Sequence, residues 1–463
     1  MQNFGCRATQ ADGAALERQL LERGFRPAGE AGEAEVVILN TCTVTAAADQ
    51  DARSAIRRIH RQNPECRILV TGCYAQRAPE ELAALPGVTW VVGNSHKQEV
   101  AGIVAGTPGL SPRPQHFIPA STLGRSPDHP IADRPMVLVG DIFAHTELLA
   151  APVFEAPGFE GPEFEGKPHS ERTRPNLKVQ DGCDNRCSFC VIPAVRGQSR
   201  SLRMAEVVRE VRALVEAGYR EVVISGINLG RWGRDLSPAR KFEDLVEAIL
   251  AETELERLRL SSVEPMDWTE RLIGLVAGER RIAKHAHVPL QSGSDRVLRR
   301  MHRRYRPWHY AERIHKIREL MPQAAIGADV MVGFPGETDA EFEESRAFIA
   351  CLPFTYLHVF TYAPRPGTPA ATMPHQVRGD VARERNRVLR ELAAEKNRAF
   401  RRAMVGRRIQ AITLGVQDED STEALTDNYV KLRLKGRHEA NRWANVRVDS
   451  VTADGVQGLM IAD

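Results

Sequence analysis

Through the first hundred residues, amphipathic stretches alternate with short runs of consecutive apolar residues. Ala14 to Leu21 carries its apolar positions at helical spacing and stops near Gly24. Glu35-Val36-Val37-Ile38-Leu39-Asn40 is a run of the length and composition of a buried strand. Ala46 to Arg61 reads as a second helix, ended by Asn63-Pro64. Two further strands follow, Arg67 to Thr71 and Val88 to Val92, the latter closed by Gly93-Asn94. Such alternation predicts a parallel, doubly wound sheet, whose strand-end loops share one edge where ligands bind. Cys42 and Cys73 each follow a strand, so they meet at that edge although 31 positions separate them. Cys6, in Asn3-Phe4-Gly5-Cys6, leaves a strand that has almost no room to form. An upstream start codon is therefore expected.

The pattern changes after residue 103. Residues 104–172 are rich in Pro, Gly and Phe, with repeats such as Val153-Phe154-Glu155-Ala156-Pro157-Gly158 and Glu163-Phe164-Glu165-Gly166. They read as a linker with a partly ordered insertion, and its one strand-like piece is Met136-Val137-Leu138-Val139. Alternation resumes in 173–403. Its strands are Leu177–Gln180, Glu221–Ser225, Arg257–Ser261, His285–Leu290, Ile326–Val332 and Tyr356–Phe360. Six strands with helices between them predict a partial (β/α)6 barrel with its active site at the strands' C-terminal ends. Residues 404–463 turn to short strands, including Asn428–Leu434 and Ala444–Val451, and predict a small β-barrel.

Composition narrows the class. The 463 residues are 42% hydrophobic and 27% charged, enough apolar material for the cores of about three domains. No apolar run approaches a membrane span and no signal peptide opens the chain, so a cytoplasmic location is expected. In that reducing compartment eight cysteines read as metal ligands or buried thiols rather than disulfides.

The decisive cysteines are Cys183, Cys187 and Cys190, in Cys183-Asp184-Asn185-Arg186-Cys187-Ser188-Phe189-Cys190. C-x3-C-x2-C spacing suits three irons of one 4Fe–4S cube and leaves the fourth iron without a protein ligand. A cluster used only for electron transfer has all its irons capped. Zinc is the rival, but structural zinc takes two close pairs, and no second pair follows nearby. With an aromatic before the last cysteine, the motif resembles that of radical S-adenosylmethionine (SAM) enzymes.

The resemblance extends to Asn40-Thr41-Cys42-Thr43-Val44-Thr45, Thr71-Gly72-Cys73-Tyr74-Ala75-Gln76, the block from Gln180 to Gly197, and Leu425-Thr426-Asp427-Asn428-Tyr429-Val430. Outside the insertion the chain resembles the radical SAM methylthiotransferases along nearly its full length. The branch it most resembles acts on N6-threonylcarbamoyladenosine in tRNA. The resemblance implies a cysteine-bearing N-terminal domain (1–103), the barrel (173–403) and a C-terminal TRAM domain (404–463). It implies two 4Fe–4S clusters, one on Cys6, Cys42 and Cys73 and one on Cys183, Cys187 and Cys190, the latter three catalytic. There the open iron chelates SAM. Carbon 2 of the modified adenine at tRNA position 37 receives a methylthio group, with one SAM supplying the methyl and another the 5′-deoxyadenosyl radical. An electron donor such as flavodoxin or ferredoxin is implied. Cys66 and Cys351 match no ligand position and read as inert.

For SAM, the matching positions are Phe189, Gly226 and Asn228 of Ser225–Gly230, Ser262 and Glu264 of Ser261–Pro265, and Gln291 of Val288–Ser294. Val332–Thr338 falls at the same edge, and either loop also reads as a tight turn. His285 and His287 read as packing or hydrogen-bonding residues rather than metal ligands.

Net charge is only +3, but residues 378–408 set eleven Lys and Arg against four acids, and a second basic run spans Arg296 to Arg306. Either run reads equally as a solvated helix face; together they favour a polyanionic partner. The resemblance makes it the tRNA anticodon stem-loop, with Arg401, Arg402, Arg407, Arg408, Lys431 and Arg433 as expected RNA contacts. Rival readings are a methylthiotransferase for isopentenyladenosine in tRNA or for a ribosomal-protein aspartate, and a non-catalytic iron–sulfur RNA-binding protein.

Overall fold

A computed structural model of the chain describes residues 1–29, 31–106, 135–145, 148–149, 173–418 and 420–461. The Val153–Gly158 and Glu163–Gly166 repeats lie outside the described residues.

The first sheet has five parallel strands in sequence order: β1 (Gln2–Asn3), β2 (Val36–Thr41), β3 (Arg67–Gly72), β4 (Val88–Gly93) and β5 (Met136–Leu138). Successive side chains leave a strand on opposite faces, and each face finds its own helices. Ile38, Leu69 and Val92 pack with Leu16 of helix α1 (Arg7–Glu22). Val37, Leu39, Ile68 and Val70 pack with Ala52, Ile56 and Ile59 of helix α2 (Ala46–Gln62). The strand-like piece expected within the insertion is β5, which pairs Trp90 with Met136 along β4. It satisfies backbone groups that an open edge would leave unpaired. Residues 136–138 therefore belong to the N-terminal sheet and not to a linker.

The barrel strands are β6 (Asn176–Asp181), β7 (Arg200–Ser201), β8 (Glu221–Gly226), β9 (Arg257–Leu260), β10 (His285–His287), β11 (Ala325–Val332) and β12 (Tyr356–Thr361). They form sheets ordered β7-β6-β8-β9 and β10-β11-β12, joined by a parallel bridge from Leu258 to Ile282 and a Val263 N–H to His287 carbonyl bond of 3.1 Å. β10 stops three residues earlier than the apolar pattern expects. Pro289 has no N–H to give the ladder, and the Leu290 and Gln291 amides both donate to one carbonyl, that of Asp329. Gln291 then adopts φ +65°.

At the C-terminus β13 (Arg408–Gln417), β14 (Ser421–Thr426), β15 (Lys431–Lys435), β16 (Trp443–Val451) and β17 (Val456–Met460) close a barrel in the order β13-β14-β15-β17-β16. Leu432, Leu434, Val446 and Val448 face its core. The strand expected from Asn428 begins only at Lys431, because residues 427–430 form a turn. Asn428 N–H donates to Asp427 Oδ1 at 2.7 Å, the Thr426 hydroxyl donates to Asn428 Oδ1 at 2.7 Å, and Tyr429 takes φ +64°.

The described residues cluster into two compact units. One takes those of Met1–Val153 with Gln180–Asn185 and Cys190–Arg200; the other takes those of Phe154–Val179 with Arg186–Phe189 and Ser201–Asp463.

Candidate functional site

Three cysteines stand at the C-terminal edge of the first sheet. Cys42 follows β2, and Cys73 opens helix α3 (Cys73–Arg77) directly after β3. Cys6 precedes α1, and the two residues of β1 suffice to place it. Gln2 and Asn3 pair with Leu39 and Asn40, and the Phe4 amide donates to the Asn40 carbonyl at 2.9 Å. Gly5, at φ +124°, makes the close approach: a Cβ there would lie 2.4 Å from Cys42 Cβ. Burial first, then the neighbouring Cys73 and Cys6, push the Cys42 thiol up to about 11. Nitrogen donors reach two of the sulfurs, Val44 N–H on Cys42 Sγ and Asn94 Nδ2 on Cys73 Sγ, both at 3.5 Å.

Behind this edge lies a buried ionic network. Asp12 accepts from Lys97 Nζ at 2.8 Å and from Arg196 Nη2 at 3.1 Å. Arg196, from the helix Ile192–Arg196, also grips both Asp181 oxygens at 3.0 Å. Burial lowers the Lys97 pKa, with Asp12 opposing. Burial opposes the Arg196 charge too, but Asp181, Cys73 and Asp12 outweigh it.

The C-x3-C-x2-C segment is the loop between β6 and the helix Ile192–Arg196, and all three of its cysteines are half-buried. Gln180 Nε2 braces the loop's start by donating to the Asp181 and Gly182 carbonyls. Gly182 takes φ +70° where a Cβ would lie 1.8 Å from the Gln198 carbonyl oxygen. Mid-loop, the Ser188 amide and hydroxyl donate to the Met301 and Arg300 carbonyls. The Phe189 ring meets Phe334 edge-on at 6.5 Å.

Arg303 touches this loop directly. Its Nη1 lies 3.2 Å from Cys187 Sγ, and its Nη2 pairs with Glu264. Burial works against the Arg303 charge, yet Glu264, Tyr305 and Cys187 hold it protonated. Glu264 and Ser262 follow β9, Gly226 closes β8 with Asn228 buried just beyond, and Gln291 follows β10. Each expected SAM position thus lies on the cysteine loop or at a strand's C-terminal end.

Known proteins match this arrangement. The radical SAM superfamily matches residues 177–349, and the uncharacterized protein family UPF0004 matches 1–93. A threonylcarbamoyladenosine tRNA methylthiotransferase MtaB of Bacillus subtilis is 34% identical, over 94% of this chain and 90% of its own. The Aquifex aeolicus protein of the same name is 33% identical over 96% and 99%. The chain belongs to the radical SAM methylthiotransferase family. A tRNA-2-methylthio-N(6)-dimethylallyladenosine synthase of Moorella thermoacetica is 31% identical over 95% and 90%. Among solved structures, the radical S-adenosylmethionine methyltransferase TsrM of Kitasatospora setae shares the fold at 16% identity and TM-score 0.54, over 78% of this chain and 73% of that one.

The residues present fit the iron–sulfur chemistry of radical SAM methylthiotransferases. Cys6, Cys42 and Cys73 share one sheet edge, Cys42 held protonated by its burial and the other two, without a disulfide. Replacing the Cys42 proton with metal would relieve that crowding. Cys66 is buried in the sheet core, apart from this set, and Cys351 is exposed.

Of the expected RNA contacts, Arg402, Arg407, Arg408, Lys431 and Arg433 are exposed. Arg401 is not available to RNA. It is 7% exposed and its Nη1 donates to the Thr452 and Ala453 carbonyls at 3.0 and 3.1 Å, fastening the turn before β17. The second basic run is divided: Arg303 is buried and Arg300, half-buried, pairs with Glu341, whereas Arg296, Arg299 and Arg304 are exposed. Sequence reading missed Arg303, Arg196, Asn94 and Lys97. Only the buried spacing of Met301, Arg303 and Tyr305 hinted that one arginine of that run faces inward.

Proposed function

We propose that this chain adds a methylthio group to carbon 2 of N6-threonylcarbamoyladenosine at tRNA position 37, next to the anticodon. The observation that carries this reading is the match, over nine-tenths or more of both chains, to relatives bearing that activity in their names. Cys183, Cys187 and Cys190 hold one 4Fe–4S cluster, and Cys6, Cys42 and Cys73 hold a second. When bound, the clusters and SAM supply one-electron cleavage of a sulfonium bond and the sulfur to be transferred.

The chain's own residues prepare the sites for this chemistry. Arg303 keeps a positive charge against Cys187 and orients Glu264 toward the end of β9. Gly226, Asn228, Ser262 and Gln291 offer backbone and polar groups at strand ends, where SAM's ribose and amino-acid portions need partners. Phe189, packed edge-on against Phe334, anchors the loop just before its last cysteine. Arg196 sets positive charge, and Asn94 an N–H donor, beside Cys73. Lys431 and Arg433 on the outer face of β15, with Arg402, Arg407 and Arg408, take backbone phosphates of the anticodon stem-loop. The protein works in the cytoplasm, with an electron donor of the flavodoxin or ferredoxin type. Among the described residues no helix is long and apolar enough to cross a membrane.

The relatives named for dimethylallyladenosine support a second reading with the same chemistry on another base. Mass spectrometry of tRNA nucleosides, from cells lacking the gene and from cells with it restored, separates the two. Restored 2-methylthio-N6-threonylcarbamoyladenosine supports the first, and restored 2-methylthio-isopentenyladenosine supports the second. An unchanged profile with intact protein refutes both.

A further inference from the structure

In the barrel, three adjacent strands each contribute one metal-ligating side chain to a single point. They are His287 at the end of β10, Asp329 in β11 and His358 in β12. Their ligand atoms all lie within 4.8 Å of one another. His287 Nε2 is 3.2 Å and His358 Nδ1 is 3.4 Å from the same carboxylate oxygen, Asp329 Oδ1. The parallel ladder sets this meeting, since Asp329 pairs with His358 and His287 pairs with Gly327, two residues before Asp329.

Two imidazole nitrogens aimed at one anionic oxygen require something positive between them. Either each nitrogen carries a proton or a cation occupies the gap. The surrounding bonds accommodate a cation. His287 Nδ1 is 3.0 Å from the Tyr356 hydroxyl, which is 2.7 Å from His285 Nε2. With Nδ1–H donating to Tyr356 and Tyr356 donating to His285, the His287 Nε2 lone pair faces Asp329. A ligating histidine is characteristically oriented this way, by a hydrogen bond from its other nitrogen. The observed separations of 3.2 and 3.4 Å match the roughly 3.0–3.4 Å between neighbouring ligands around an ion bound at about 2.1 Å. Access is open on one side: His287 is buried, whereas the His358 side chain is 57% exposed.

We propose that His287, Asp329 and His358 form a binding site for one divalent cation of the Mn2+, Fe2+ or Zn2+ class. Two imidazoles and a carboxylate suit these borderline ions, and three protein ligands leave coordination positions open to water or to an oxygen donor of a bound substrate. The site is chemically separate from the thiolates. It also sits just beneath Gln291, whose amide donates to the Asp329 carbonyl at 2.8 Å.

The test uses holoenzyme prepared without oxygen, with its clusters oxidised and its iron content measured. Mn2+ is titrated in, and the unbound ion is read from its six-line EPR signal. The expected result is uptake of about one Mn2+ per chain, displaced by Zn2+. Asp329→Asn and His358→Ala are expected to lose that uptake with iron content and melting temperature unchanged. His358 is exposed on an edge strand, so its variant decides the matter where Asp329→Asn folds poorly. No uptake by the wild type at millimolar Mn2+, or uptake in His358→Ala equal to the wild type, overturns the proposal and leaves a proton-filled hydrogen-bond cluster.

Discussion

Asp12→Asn is the sharpest test of how the N-terminal sheet holds its cysteine edge. Asp12 is 2% exposed and neutralises two buried cations, Lys97 and Arg196. The amide keeps the shape and removes the charge. Arg196 still has both oxygens of Asp181, but the other acceptor at Lys97 Nζ is the uncharged Asn40 Oδ1 at 3.2 Å. Removing one partner of a buried pair costs about 3–5 kcal/mol. The surviving contacts place this case near the lower end, about 3 kcal/mol, or roughly a hundredfold in the opening equilibrium. Hydrogen exchange of the β2 and β3 amides reads that opening in the intact protein. The pH dependence has a definite sign. Burial lowers the folded-state Lys97 pKa below its unfolded value, so folding releases a proton. Stability is therefore lost as pH falls, and the variant's deficit should shrink as pH rises toward 10, near the unfolded lysine's pKa of about 10.4. Adding Lys97→Met should recover at least half of the loss, because the stranded charge is gone. Were the double variant as labile as Asp12→Asn alone, with no pH dependence, the buried-charge argument would be wrong.

Other consequences are equally open to measurement. Alanine at Cys6, Cys42 or Cys73 should remove about four irons per chain and leave the other set, and alanine at Cys183, Cys187 or Cys190 should do the converse, read by iron analysis and Mössbauer spectroscopy. In metal-free protein the raised Cys42 pKa favours the folded state below the unfolded thiol's pKa. That contribution should fade as pH rises from 9 to about 11, seen in urea melts across that window. Arg401→Met should destabilise the C-terminal barrel by about 1–3 kcal/mol, through its stranded carbonyls, without changing the salt dependence of RNA binding. Alanine at Lys431 and Arg433 should instead lower the slope of log affinity against log salt by about 0.7 per charge removed, with the melting temperature kept. Arg259→Met should cost about 3 kcal/mol, since it leaves the fully buried Glu221 with Arg174 as its remaining ion-pair partner and frees the Thr426 and Asp427 carbonyls at the same time.

Much of this protein is determined locally and is legible from the chain alone. The strands that deliver Cys42 and Cys73, β2 and β3, are short and mostly apolar and are buried along nearly their whole length, so their positions follow from composition. Cysteines placed directly after such runs must reach the sheet edge, and C-x3-C-x2-C spacing puts three thiolates in one loop whatever surrounds it. Charge is another matter. Arg401, Arg402, Arg300 and Arg303 look alike along the chain, yet two are buried and two reach solvent, because burial depends on which carboxylates and carbonyls other segments bring to them. The pairing of Met136–Leu138 with β4 and the early end of β10 likewise follow from hydrogen bonds offered by distant strands. The meeting of His287, Asp329 and His358 is a product of register between three strands, the successive residues lying 42 and 29 positions apart in the chain. Spacing along the chain carries no trace of it, since a shift of one residue would turn any of the three side chains to the opposite face.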